Sequence, residues 1–282
     1  MKETIKKLIP DALFLKILFK KHLGYKLNLK HPTSFNEKLQ WLKLHDRKPL
    51  YTQMADKCEA KKYVASIIGE EYIIPTLGVY DSFDAIDFST LPQRFVMKCT
   101  HDSGGLVICK DKDYLDINGA REKINKSLQT NFYWIGREWP YKDITPRIII
   151  EKYMDDNGKE LEDYKLHCFN GRVKMILVCR DRYKSSGLTE DFFTENWEHM
   201  DIHREEHPNA EEAIKAPEKL REMISLAEKL STDIPFVRVD FYSIQGQVFF
   251  GEMTFFPASG LEGFYPEKYD RILGDWIELP PK

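Results

Sequence analysis

The stretch "FVRVDFYSIQGQVFFGEMTFF", residues 236–256, decides how the chain is read. It reads as a hairpin of two apolar strands. In the first strand, alternation puts Val237, Val239 and Phe241 on one face and Arg238 and Asp240 on the other. A charged pair two residues apart on a half-buried strand is costly unless it meets a partner. Glu252 lies twelve residues beyond Asp240, in the equally apolar "VFFGEMTF". Two carboxylates on paired strands beside an arginine can hold a hard cation such as Mg²⁺ bound to phosphate. The same residues also suit a partly buried Arg–Asp–Glu ion-pair network, and this stretch by itself does not choose between the two.

Outward from it, "RFVMKCTHDSGGLVICKDKDY" (94–114) is a short apolar strand carrying Lys98, a polar loop with Ser103, Gly104 and Gly105, and a second apolar strand. Asp, Ser and Gly are ordinary turn residues, so a plain hairpin explains the loop. A loop whose backbone N–H groups approach an anion, with Lys98 reaching for the same charge, explains it too. "IIIEKYM" (148–154) is a strand ending in Glu151-Lys152. "DYKLHCFNGRVKMILVC" (163–179) is the strongest hairpin, because Asn-Gly is the preferred two-residue type I′ turn.

Helices are expected over 55–69, 113–136 and 217–231, the last an amphipathic run opened by Pro217. Ser34 and Glu37 form a capping box before Leu39, Trp41, Leu42 and Leu44. "EYIIPTLGVYDSF" is a strand broken at Pro75, and residues 184–216 read as polar and irregular. Strand–turn–strand units mixed with helices predict an α+β fold without repeats.

The 282 residues are 42% apolar and 31% charged, ordinary values for a globular protein with ample core. Net charge is −3, which gives no support for nucleic-acid binding. The charge is uneven: eight lysines against Glu3 and Asp11 leave +6 on residues 1–30, so the rest carries −9. That basic end reads as a helix docked on the protein with lysines reaching outward; peripheral contact with anionic lipid is the second reading. No run approaches the roughly 20 apolar residues of a bilayer span. The five scattered cysteines have no zinc-ligand spacing and read as reduced, buried thiols of a cytosolic protein. His199, His203 and His207 have helical spacing in a polar segment and read as solvated.

The joint order is Asp56-Lys57, Lys98 with its glycine loop, Glu151-Lys152, Asp163, Arg238-x-Asp240, then Glu252. With that order the chain resembles the ATP-grasp superfamily over roughly residues 55–265. It is similar above all to the TupA-like branch associated with teichuronopeptide and other bacterial surface polysaccharides. The strings "SFNEKLQWLKL", "ADKCEAKKYV", "MKCTHDSGG", "GREWPY", "EDYKLHCFNGR" and "GEMTFFPASGL" carry that similarity.

The resemblance implies an ATP-grasp fold of two α+β subdomains clasping ATP: 55–145 with the glycine-rich loop and 146–282 with the metal carboxylates. A helical basic region, 1–54, precedes them, too short for a full Rossmann-like N-terminal domain. It implies ATP and Mg²⁺ as cofactors, Lys57 and Lys98 on the phosphates, and Ser103, Gly104 and Gly105 in the covering loop. Glu151, Lys152 and Met154 would meet adenine, Asp163 the ribose, and Asp240 and Glu252 the metal. Arg238, with Lys98, would stabilise the reacting groups, and Arg180 and Arg182 are weaker substrate candidates. Thr254 stands where many such ligases place asparagine, which leaves the number of metals open.

The implied reaction is ATP-dependent carboxylate–amine ligation through an acyl phosphate. It would join an amino acid to a uronic acid or amino sugar of a glycan or lipid-linked glycan precursor, in capsule-type biosynthesis in the cytoplasm or at the inner membrane face. The "FYWIGREWPYKD" segment and the N-terminus are candidates for shaping the substrate site. An ATP-grasp phosphotransferase, a glycosyltransferase and an inactive ATP-binding scaffold are the alternatives.

Overall fold

A computed structural model describes residues 3–158, 161–180 and 187–281. The chain divides into two units, Lys48–Asp155 and a second composed of Met1–Arg47 with Asp156–Lys282.

Three helices open the chain: α1 (Glu3–Leu8), α2 (Asp11–Leu23) and α3 (Phe35–His45). Leu15 and Phe19 of α2 pack with Leu27, and Leu23, Leu29, Leu44 and Leu261 close around them. Arg47 holds Asp11 at 2.8 Å. The expected capping box starts α3: the Ser34 side chain accepts from Glu37 N–H, and the Glu37 carboxylate accepts from the Ser34 N–H. This N-terminal segment belongs with the C-terminal part of the chain, so it is no separate region ending at residue 54.

The Lys48–Asp155 unit holds α4 (Pro49–Ala55), α5 (Glu59–Ile68), β1 (Thr76–Tyr80), β2 (Phe95–Cys99), β3 (Leu106–Cys109), α6 (Ile117–Leu128), α7 (Tyr133–Gly136) and β4 (Ile148–Lys152). Its four strands form an antiparallel sheet in the order β1-β4-β2-β3. Phe95, Met97 and Cys99 alternate into a core with Ile148, Ile150, Ala120 and Ile124, which leaves Lys98 and Glu151 on the other face. The boundary expected at 145/146 therefore falls later, since β4 pairs with β1 and β2. The helix expected over 113–136 is two. At the break, Thr130 Oγ turns back to the Lys126 carbonyl and Asn131 accepts from Tyr133 N–H, side-chain bonds that compete with helix continuation.

The other unit carries β5 (Asp163–Phe169), β6 (Arg172–Arg180), β7 (Thr189–Phe193), α8 (Leu220–Leu230), β8 (Phe236–Ile244), β9 (Gln247–Thr254) and α9 (Lys268–Asp275). Five antiparallel strands run in the order β7-β6-β5-β8-β9. Asn170 and Gly171 both have positive φ, 49° and 78°, as the type I′ turn requires. Met223, Ala227 and Leu230 of α8 are buried against this sheet. β7 lies inside the segment expected to be irregular; all five of its residues are buried, Glu190 and Asp191 included.

One irregularity fixes the site. Asp240 faces Glu252, but the next pair is Phe241 with Phe250, so Gly251 is an extra residue on β9. This β-bulge lets Val248 and Phe250 enter the core on one side of it and Met253 on the other, while Glu252 stays on the Asp240 face. A Cβ at 251 would lie 3.1 Å from the Asp240 carbonyl oxygen. All five cysteines are free and buried. Among the described residues, no helix is long and apolar enough to cross a membrane.

Candidate functional site

Alternation on β5, β8 and β9 gathers one polar row on the five-stranded sheet. Register sets Lys165 opposite Asp240, Asp240 opposite Glu252, His167 opposite Arg238 and Arg238 opposite Thr254. Arg238 grips Asp240 bidentately at 2.7 Å for both bonds, and also reaches Glu252 and Thr254 at 3.1 Å. Lys165 donates to Asp163 at 2.5 Å and to Asp240 at 2.7 Å.

Burial is opposed by a neighbouring charge at Asp240, Asp163 and Lys165, and is joined by neighbouring charges at His167. For Asp240, burial favours the neutral form, but Arg238 and Lys165 outweigh it and hold the carboxyl below its ordinary range. Asp163 goes the other way: burial, joined by the nearby Asp240 charge, raises it despite Lys165. Burial opposes the Lys165 charge, yet Asp240 and Asp163 keep its ammonium above its ordinary value. His167 is held well below its ordinary value by burial and the Arg238 and Arg204 charges, hence neutral, and its Nδ1 lies 3.1 Å from the Lys165 carbonyl.

The second cluster lies on the four-stranded sheet. Glu151 is buried and its carboxylate meets two lysines, Lys98 at 2.7 Å and Lys61. Lys98 and Glu151 share a face because Lys98 pairs with Ile149, two residues from Glu151. Lys61, from α5, donates also to the Ile74 carbonyl at 2.7 Å. Burial disfavours the Glu151 charge, but Lys98 and Lys61 together hold its carboxyl low; burial lowers Lys61 despite Glu151.

Beside this cluster sits the glycine loop. Lys57 donates from Nζ to the Asp102 carbonyl and from its backbone to the Thr100 carbonyl at 3.1 Å. The Asp102 carboxylate accepts from Ser127 Oγ and from Gly105 N–H. His101 is buried with Nε2 at 3.1 Å from the Ser127 carbonyl and 3.2 Å from that of Thr130, both just past or at the end of α6. Carbonyls only accept, so Nε2 carries the proton. Ser103 and Gly104 form the exposed tip. Gly105 serves the interior: a Cβ there would collide with Ser127 Oγ and lie 2.7 Å from Cys99 Sγ. Its missing side chain is explained by packing within the protein, whereas a Cβ at Gly104 would meet only Asp102 Oδ2, at an ordinary 3.8 Å.

The remaining expected residues are less gathered. Lys152 is exposed, with its N–H on the Pro75 carbonyl at 2.9 Å, and Met154 is half-buried just beyond β4. Arg180 pairs with Glu162 at 3.3 Å. Arg182 lies outside the described residues. Sequence reasoning missed Lys61, Lys165 and His167. The last two were readable, since Asp163, Lys165 and His167 alternate with Tyr164, Leu166 and Cys168.

Asp240 and Glu252 fit a Mg²⁺ ion as hard oxygen donors directly opposite one another. Glu252 is the accessible partner, its side chain 42% exposed. Among the described residues, no group of three or more His, Cys, Asp or Glu side chains could hold a metal, so these two carboxylates need further oxygens from elsewhere. Phosphate and water supply such oxygens.

The family model described as TupA-like ATPgrasp matches residues 37–278. The chain belongs to this family. Its fold is accordingly the ATP-grasp α+β fold, with the two antiparallel sheets described above. Among solved structures, the TupA-like chain is similar to D-alanine–D-alanine ligase from Bacillus anthracis in complex with ATP. That match is 19% identical over 79% of this chain and 64% of that one, with a TM-score of 0.44. The D-alanine–D-alanine ligase of Helicobacter pylori matches at 16% identity over 88% and 70%, TM-score 0.42. The biotin carboxylase domain of Hydrogenobacter thermophilus 2-oxoglutarate carboxylase, solved with MgADP and bicarbonate, matches at 14% over 80% and 46%, TM-score 0.43. The chain thus spans less than two thirds of the first and the last of these proteins. No curated protein matches it.

Proposed function

We propose that this TupA-like protein is an ATP-dependent carboxylate–amine ligase that forms an amide through an acyl phosphate. The observation that supports it most is the opposition of Asp240 and Glu252 across β8 and β9, with Arg238 bonded to both. In this reading a substrate carboxylate oxygen attacks the γ-phosphorus of ATP, and ADP leaves. An amine then attacks the acyl carbon, loses a proton and expels phosphate.

Mg²⁺, when bound at Asp240 and Glu252, would neutralise phosphate charge. Arg238 is fixed by Asp240 and presents a charge that burial does not extinguish: Asp240 and Glu252 raise its guanidinium above the ordinary arginine value against the opposing effect of burial. It would stabilise the anionic phosphate and the tetrahedral intermediate. Lys98 and Lys57 would bind phosphate oxygens, with Glu151 orienting Lys98. Ser103 and Gly104, the exposed loop tip, would offer backbone N–H groups. Glu151, Lys152 and Met154 would border adenine, Asp163 the ribose, and Arg180 the acceptor carboxylate.

The substrates in this reading are an amino acid and a uronic acid or amino sugar of a bacterial surface glycan, the enzyme working in the cytoplasm. The TupA-like membership supports that choice. The test is release of ADP and phosphate from ATP and Mg²⁺ across a matrix of uronic acids, amino sugars and amino acids, with the amide identified by mass. ADP release needing both an acid and an amine is expected. Phosphate retained on a hydroxyl product, or activity with a nucleotide sugar and none with ATP, would replace the ligase by a phosphotransferase or a glycosyltransferase.

A further inference from the structure

α2 is apolar on two sides, and only one of them is buried among the described residues. Phe14, Leu15 and Phe19 are buried, the last two within the cluster that includes Leu27. On the opposite side Leu13 is 51% and Ile17 56% exposed. At 100° per residue these two stack one turn apart. The same geometry sets Lys16 and Lys20 along one side of the Leu13–Ile17 strip and Lys21 along the other. All three lysines are exposed, and none has an ion-pair partner among the described residues. The acidic residue of this helix, Asp11, is engaged by Arg47. Just before α2, Leu8 is 81% exposed.

We propose that this outer face of α2 docks on the surface of an anionic lipid bilayer, lying in the interface without crossing it. An apolar strip bordered by cations on both sides suits the boundary between acyl chains and anionic headgroups. Lysines tolerate partial immersion because their stems lie along apolar matter while the ammonium stays wet. The rest of the chain reinforces the choice: residues 1–30 carry +6 and the remainder −9, so an anionic surface attracts this end and repels the body. A second copy is the poorer occupant. A two-fold pairing through the Leu13–Ile17 strip would bring each copy's lysine borders against like charge. The inference is independent of the ligase reading.

The experiment uses the full chain and co-sedimentation with vesicles of phosphatidylcholine alone or with one part in three phosphatidylglycerol. Binding is expected on the anionic vesicles only, released by raising ionic strength because surface charge is screened. K16Q, K20Q and K21Q should each weaken partitioning roughly fivefold. L13S/I17S should weaken it about tenfold or more, with an unchanged melting temperature because both side chains are exposed. No binding of the wild type to anionic vesicles would overturn the proposal. So would binding indifferent to both sets of substitutions, or a lipid-free dimer that L13S/I17S dissolves.

Discussion

Asp240 and Glu252 face each other across β8 and β9, yet they occupy different solvents. The Asp240 side chain is 2% exposed and closed in by Arg238 and Lys165; that of Glu252 is 42% exposed and touches Arg238 by one oxygen. The pair therefore joins a buried, tightly held carboxylate to an open one.

D240N and E252Q should both reduce ADP release by about 100-fold or more if the carboxylates hold the metal. Only D240N should destabilise the protein strongly, by about 3 kcal/mol, because it removes the charge that Arg238 and Lys165 share and leaves two buried cations to Glu252 and Asp163 alone. Urea unfolding of E252Q should stay within about 1 kcal/mol of wild type. Equal destabilisation of the two, or full activity in both, would contradict the assignment.

Lys165 is the counter-charge to two carboxylates, Asp163 and Asp240. K165M should cost roughly 3 kcal/mol of stability, since two buried acids then compete for Arg238. K165R should retain much of it. A thermal melt series on the two variants decides this, and a harmless K165M would mean that the network is solvated.

Glu151 makes acid stability legible. Its folded-state carboxyl lies below the ordinary value because Lys98 and Lys61 outweigh burial. The stability it contributes is therefore full above the unfolded carboxyl value of about 4.3 and is lost as pH falls through the lower folded value. E151Q should be less stable at neutral pH and show a shallower decline in acid. Parallel pH–stability curves for wild type and E151Q would refute it.

The two loop glycines should part company. G105A forces a methyl against Cys99 and Ser127 and should cost about 1–3 kcal/mol of stability. G104A meets only Asp102 Oδ2 at 3.8 Å, so its melt should match wild type while its KM for ATP rises. A stable G105A would show that the loop relaxes freely.

How much the sequence conveyed follows from how local each signal is. The capping box of Ser34 and Glu37 and the Asn170-Gly171 turn are settled by neighbours along the chain, and both stand as read. The polar face of Arg238 and Asp240 follows from period-two alternation alone. Lys61 offered no such clue: it sits beside Lys62 in an ordinary helix, and only folding carries it to Glu151. β7 stayed hidden for the same reason. Glu190 and Asp191 look like loop residues until Arg204, His199 and Asn209 are brought to them. His101 bonds to the carbonyls of Ser127 and Thr130, and that pairing also needs the tertiary structure.

The bulge at Gly251 turns strand length into a constraint on heredity. Removing that one residue would restore strict alternation and rotate one end of β9 by half a turn. Either Glu252 would enter the greasy layer, or Val248 and Phe250 would be turned out to water. Insertions and deletions in this hairpin should thus be tolerated around the turn at Gln245-Gly246 and purged between Phe250 and Glu252. Relatives that differ in length there would be expected to carry their acid at a different step along the strand.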